Sequence, residues 1–117
     1  MFYLLEAKNG KEALDILKRQ EVNLIITNAI MPVIDGIKLC KLVKENLSTR
    51  HIPVYILSTK TDIESQLESF RVGADDYIIK PFSINILKFK TLNMLHTSHY
   101  ILSIVLTLCR QNELIPQ

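Results

Sequence analysis

Cysteine is scarce in this chain: Cys40 and Cys109 are the two among 117 residues, too few for a disulfide framework. A secretory signal is missing, because the N-terminus has no charged region followed by an apolar stretch and a cleavage site. Long apolar runs are missing too, and the longest, Tyr100 to Cys109, has about half the length needed to span a bilayer. Clustered charge of one sign is absent. The 14 basic and 12 acidic side chains give a net charge of +2 and form no long like-charge block. A nucleic-acid face needs clustered Lys and Arg to displace counterions, so direct nucleic-acid binding is not expected. No nucleophile–base pair or phosphate loop speaks for a small α/β enzyme. There is no internal repeat, low-complexity segment or interdomain linker. What remains is one domain in the reducing cytoplasm, with no membrane span and a length sufficient for a real core.

What is present alternates strand and helix from the first residues. Phe2 to Ala7 is a short apolar strand candidate, broken at Asn9-Gly10. Lys11 to Gln20 follows with Ala13, Leu14 and Leu17 on one helical face. Val22 to Thr27 and Ile52 to Leu57 are near-continuous apolar runs, as expected of strands buried on both faces. Pro53 is tolerable only near the start of the second run. Asp35 can cap a helix carrying Ile37, Cys40, Val43 and Leu47. Thr61-Asp-Ile-Glu64 reads as a capping box for a helix that buries Ile63, Leu67 and Phe70 and stops at Gly73. Asp76 to Ile79 is a short strand, and Ser83 caps a last helix with Ile84, Leu87, Leu92 and Leu95. Buried strands alternating with amphipathic helices point to a parallel sheet with right-handed crossovers.

The pattern presents Asn28 at the C-terminal edge of a buried parallel strand. In open α/β sheets that edge is the usual place for a ligand or reacting group. A carboxylate there could act as a nucleophile or hold a metal, and a neutral amide does both poorly. Asp75 and Asp76 precede a strand and are expected to face solvent or cap backbone. His51, His96 and His99 are scattered, and a metal site built on them lacks a third ligand.

Four segments together carry a resemblance: Leu5-Glu-Ala-Lys-Asn-Gly-Lys-Glu-Ala-Leu14, Asn28 through Met31-Pro32 to Asp35-Gly36, Pro53-Val-Tyr-Ile-Leu-Ser58, and Gly73-Ala-Asp-Asp-Tyr-Ile-Ile-Lys-Pro-Phe82. In this order and spacing the chain resembles the receiver domain of bacterial two-component response regulators, in wording most like receivers of hybrid sensor proteins. The resemblance implies a flavodoxin-like parallel sheet flanked by helices. It also implies phosphoryl transfer from a histidine kinase to an aspartate at the end of the family's third strand, with Mg2+ held by that aspartate and an acidic pair. Asn28 matches the acceptor position. By resemblance Ser58 and Lys80 match the phosphoryl contacts, and Tyr77 matches the aromatic that changes rotamer. Ile30 would offer a backbone carbonyl, Pro32 and Gly36 shape the loop, and the motif implies a cis Lys80-Pro81 bond.

The resemblance also implies two departures: an amide where the acceptor carboxylate belongs, and no counterpart of the family's first strand, acidic pair and first helix. The expected organisation is an incomplete receiver-like unit over 1–96 and a C-terminal tail over 97–117. The tail is either a strand filling the empty central slot, an extension of the last helix, or a dimer contact. None of these restores a metal site, so no cofactor is expected, although the family uses Mg2+. The implied function is a pseudo-receiver: a phosphorelay module unable to take phosphate, acting by contact with a histidine kinase, another signalling protein or a second copy. The alternative is a phosphoacceptor completed by another chain or by upstream residues, with Asn28 a substituted acceptor.

Overall fold

The structure, a computed structural model, describes residues 2–96 and 103–109. The stretches 97–102 and 110–117, which include His99 and the flanks of the tail's apolar run, lie outside the described residues. In chain order the elements are β1 (Phe2–Glu6), α1 (Gly10–Arg19), β2 (Leu24–Asn28), α2 (Gly36–Glu45), β3 (Val54–Ser58), α3 (Ile63–Arg71), β4 (Asp76–Ile79), α4 (Ile84–His96) and β5 (Ser103–Leu108). Five parallel strands form one sheet in the order β1-β5-β2-β3-β4. This is the flavodoxin-like arrangement of helices on a parallel sheet.

The C-terminal strand occupies the slot between β1 and β2. β5 pairs Val105 with Leu4 on one side and with Leu24 on the other. Its apolar and β-branched side chains suit a strand covered on both faces, and Val105, Leu106 and Leu108 are buried. Thr107 is also fully buried, and its hydroxyl donates to the Leu5 carbonyl at 3.3 Å. Asn23 fixes the start of this strand. Its N–H donates to the Ile104 carbonyl at 2.8 Å, and its Oδ1 accepts from the Ile104 N–H at 2.8 Å.

Successive strand residues serve opposite faces, as the twofold pleat requires. Ile25, Val54, Ile56 and Leu106 pack with Leu39, Cys40 and Val43 of α2 and with Ala13 and Ile16 of α1. Leu24, Ile26, Tyr55, Leu57 and Val105 pack with Leu87 and Leu95 of α4. Burial pushes the Cys40 thiol up to about 11, while its Sγ lies 3.7 Å from the Val72 carbonyl.

Helix ends follow local chemistry. Asp35 accepts from the Lys38 N–H at 2.7 Å, and Ser83 Oγ accepts from the Ile86 N–H at 3.2 Å. Asn9 caps α1 through Glu12 N–H at 2.9 Å. The cap of α3 is Asp62, which accepts from Ser65 N–H at 3.0 Å; the expected Thr61 is one residue too early. At its other end Gly73, with φ +101°, donates to the Phe70 carbonyl while Ala74 donates to Ser69. These two bonds make a Schellman motif. Asp75 accepts from Val54 N–H at 2.8 Å and from Lys44 Nζ at 3.0 Å, tying the starts of β3 and β4 to α2.

Two burial expectations fail. Leu47 lies beyond the end of α2 and is exposed. Ile63, Leu67 and Phe70 of α3 are 74%, 42% and 47% exposed, whereas Ser69 is fully buried. Helical spacing defines a face but not its direction. The phase of α3, set between the Asp62 cap and the Gly73 cap, turns Ser69 inward.

Candidate functional site

A parallel sheet with crossovers brings all of its strand C-termini to one edge. Asn28 ends β2 in register with Leu57, so Ser58 stands one residue further along the neighbouring strand. Lys80 follows β4 and donates its N–H to the Ser58 carbonyl at 2.8 Å. The Lys80-Pro81 bond is cis. Asn28, Ser58 and Lys80 therefore sit on adjacent chain segments, as the motif order implies.

The loop from Ala29 to Asp35 folds back tightly. Gly36 donates to the Ala29 carbonyl at 2.8 Å, and a Cβ at Gly36 would come within 2.0 Å of the Asn28 carbonyl oxygen. No larger residue fits without moving the strand end. Ile34 N–H donates to the Pro32 carbonyl at 2.8 Å across Val33, whose φ is +70°. This is a γ-turn, strained for a β-branched residue. Ile30 and Val33 are each 75% exposed.

The Asn28 side chain meets an unusual environment. Its Oδ1 is buried and has no hydrogen-bond partner among the described residues. A cavity of about 310 Å³ beside it is lined by Glu6, Ala7, Ile30, Leu108 and Cys109. Ser58 and Tyr77 open instead onto a larger cavity of about 450 Å³ between α2 and α3. Ser58 Oγ accepts from the Lys60 N–H at 3.1 Å, and Tyr77 Oη donates to the Lys60 carbonyl at 2.8 Å. The peptide groups flanking Lys60 are thus held from both sides. Nothing in the sequence marks Lys60, because its backbone and not its side chain makes these contacts.

The donor set at Asn28 is chemically poor for Mg2+. That ion wants octahedral oxygen ligands with carboxylates among them. Besides the Ile30 backbone, the cavity offers one neutral amide, the exposed Glu6 on its rim, the soft sulfurs of Cys109 and Met31, and Lys8, whose charge opposes a cation. Among the described residues no group of three or more His, Cys, Asp or Glu side chains could hold a metal ion. The residues present do not fit the family's cation. Asp75 and Asp76, the paired carboxylates of the sequence, lie at the opposite end of β4 from Lys80. Asp76 is engaged with Lys90 Nζ at 2.6 Å.

No helix among the described residues is long and apolar enough to cross a membrane. The family model for the response regulator receiver domain matches residues 1–91. The chain is 38% identical over 94 residues to histidine kinase P4 of Formosa agariphila, covering 80% of this chain and 7% of that protein. It is 41% identical over 80 residues to the transcriptional regulatory protein ResD of Bacillus subtilis, covering 67% of this chain and 31% of that one. The chain thus spans less than a third of the length of each of these two relatives. A solved signal receiver domain of a signal transduction histidine kinase from Syntrophus aciditrophicus superposes with a TM-score of 0.73. It is 33% identical, over 80% of this chain and 70% of that one. With fold, strand-edge geometry and sequence in agreement, this chain belongs to the response regulator receiver domain family of two-component signalling.

Proposed function

We propose that this receiver does not accept phosphate and signals through protein contact alone. The observation that carries the reading is the side chain at the end of β2: Asn28 is a neutral amide whose buried oxygen finds no donor among the described residues. An amide nitrogen is not a nucleophile toward a phosphoryl group, and the carbonyl oxygen cannot replace a carboxylate that attacks and binds metal together. Asn28 stands at the family's acceptor position, so the loss falls on the reacting atom itself. The poor magnesium donor set around it supports the same reading.

The partner is a histidine kinase or another signalling protein of a two-component pathway, in keeping with relatives named as a histidine kinase and a transcriptional regulatory protein. The chain itself is not an enzyme, and two cysteines without a disulfide accord with a cytoplasmic setting. Incubation with a radiolabelled, autophosphorylated histidine kinase tests the proposal. The expected result is binding without transfer of label, and label on this chain contradicts it.

A further inference from the structure

α3 turns small side chains toward the cavity that separates it from α2. Ser65, Glu68, Ser69 and Val72 line that cavity, at the spacing a helix uses to face a neighbour. Close helix packing calls for large apolar side chains along such a stripe. Here two of the four are serines, and both hydroxyls are engaged within their own turn. Ser69 Oγ donates to the Ser65 carbonyl at 3.1 Å, and Ser65 Oγ donates to the Asp62 carboxylate at 2.8 Å. The volume they leave open is about 450 Å³, within the range of about 300–1,000 Å³ found for small-molecule sites.

The charge in this cavity is uneven. Lys38 and Lys41, three apart on α2, line it from one side, and Lys60 joins them from the loop before α3. Other basic side chains find carboxylates: Lys44 meets Asp75, Arg71 meets Glu64 and Lys90 meets Asp76. Among the described residues Lys38, Lys41 and Lys60 have no such partner. Of the two acids that share the cavity, Asp35 accepts from the Lys38 N–H as the cap of α2, and Glu68 lies on the α3 wall. Three ammonium groups against two carboxylates leave the cavity net positive. No arginine is among its described lining residues, so the planar fork that grips a carboxylate is missing. Ammonium groups act instead as point charges, which suits a phosphate group. Ile37, Val72 and Tyr77 supply an apolar part of the wall.

We infer that the α2–α3 cavity binds a small phosphate monoester with an apolar body, which Lys38, Lys41 and Lys60 hold intact. A phosphate group alone would leave most of the volume empty, and the apolar body fills it against Ile37, Val72 and Tyr77. Asn28 lines the other cavity and takes no part. The site therefore stands whether or not Asn28 takes phosphate.

Calorimetric titration of the full chain with phenyl phosphate tests this, beside inorganic phosphate and two variants. Saturable binding at one site is expected, with a Kd of about 1 mM or tighter. Inorganic phosphate should bind about fivefold more weakly or worse, because it lacks the apolar body. Lys38→Gln with Lys41→Gln is expected to weaken phenyl phosphate binding by about tenfold or more, with the thermal midpoint kept because both side chains are exposed. Lys88→Gln, at an exposed lysine of α4 outside the cavity, should leave the affinity unchanged. Titrations that never saturate, or an affinity indifferent to the double variant, overturn the inference. So does an equal loss in Lys88→Gln, which would mean unspecific charge attraction. Inorganic phosphate bound as tightly as phenyl phosphate overturns the role of the apolar wall.

Discussion

Asn23 and Ile104, 81 residues apart in sequence, exchange two hydrogen bonds of 2.8 Å at the entry to β2 and β5. One bond uses the Asn23 backbone and the other its side-chain oxygen. The pair holds the C-terminal strand in the slot that joins β1 to the rest of the sheet. Removing the side chain leaves the Ile104 N–H without its acceptor, which costs about 1–3 kcal/mol. Asn23→Ala is expected to lower the urea midpoint accordingly. Asn23→Asp keeps an oxygen acceptor and should lose less. Equal losses in the two variants would show that the side-chain bond is not what matters.

Val33 is a β-branched residue at φ +70° in a γ-turn. Such strain costs about 1–3 kcal/mol, and glycine carries an entropy cost of about 0.5–1 kcal/mol. Val33→Gly is therefore expected to raise stability by on the order of 1 kcal/mol, read from chemical denaturation. At Gly36 the reverse holds, because a Cβ there collides with the Asn28 carbonyl oxygen. Gly36→Ala should be strongly destabilising.

Cys40 gives a pH signature. Its thiol is raised from 9.0 to about 11, first by burial. Above pH 9 the unfolded chain releases this proton and the folded chain keeps it. Stability from this group is full below that pH and is lost as pH rises toward 11. Comparing the native chain with Cys40→Val isolates the effect. The advantage of the native chain should shrink by on the order of 1–2 kcal/mol between pH 8 and 11. A constant difference would mean that the thiol titrates normally.

Asn28→Asp separates the nucleophile from its surroundings. The new carboxylate would place an oxygen where Asn28 Oδ1 is buried without a donor among the described residues, so its folded pKa should rise. A raised carboxyl pKa makes the variant relatively more stable at low pH, with stability falling as pH climbs above the unfolded value. Thermal unfolding at pH 7 should show a loss of about 1 kcal/mol or more relative to the native chain, shrinking toward pH 4. Because the described residues around position 28 remain a poor donor set for magnesium, phosphodonors are expected to leave this variant unmodified with or without Mg2+. Equal stability of variant and native chain at pH 7 would mean that the site already welcomes a charge.

Much of the fold was legible in the sequence because buried strands and caps leave direct marks. The apolar runs ending at Asn28 and Ser58, the Asp35 and Ser83 caps and the Gly73 stop all depend on a residue's own chemistry. The direction of α3 was not legible, since Ile63, Leu67 and Phe70 define a stripe without saying what it faces. The tail's place is not legible for a similar reason: a short apolar run suits a strand or a helix, and the deciding partner, Asn23, lies 81 residues away. At the site, Asn28, Ser58 and Lys80 could be placed from motif order. The double hold on Lys60 by Ser58 and Tyr77 could not, because backbone atoms carry no sequence label.

The most direct test of the central claim is intact-protein mass spectrometry after incubation with a small phosphodonor and Mg2+. The account predicts a single species at the unmodified mass over the whole time course. Appearance of a hydroxylamine-labile adduct carrying the mass of one phosphoryl group would contradict it.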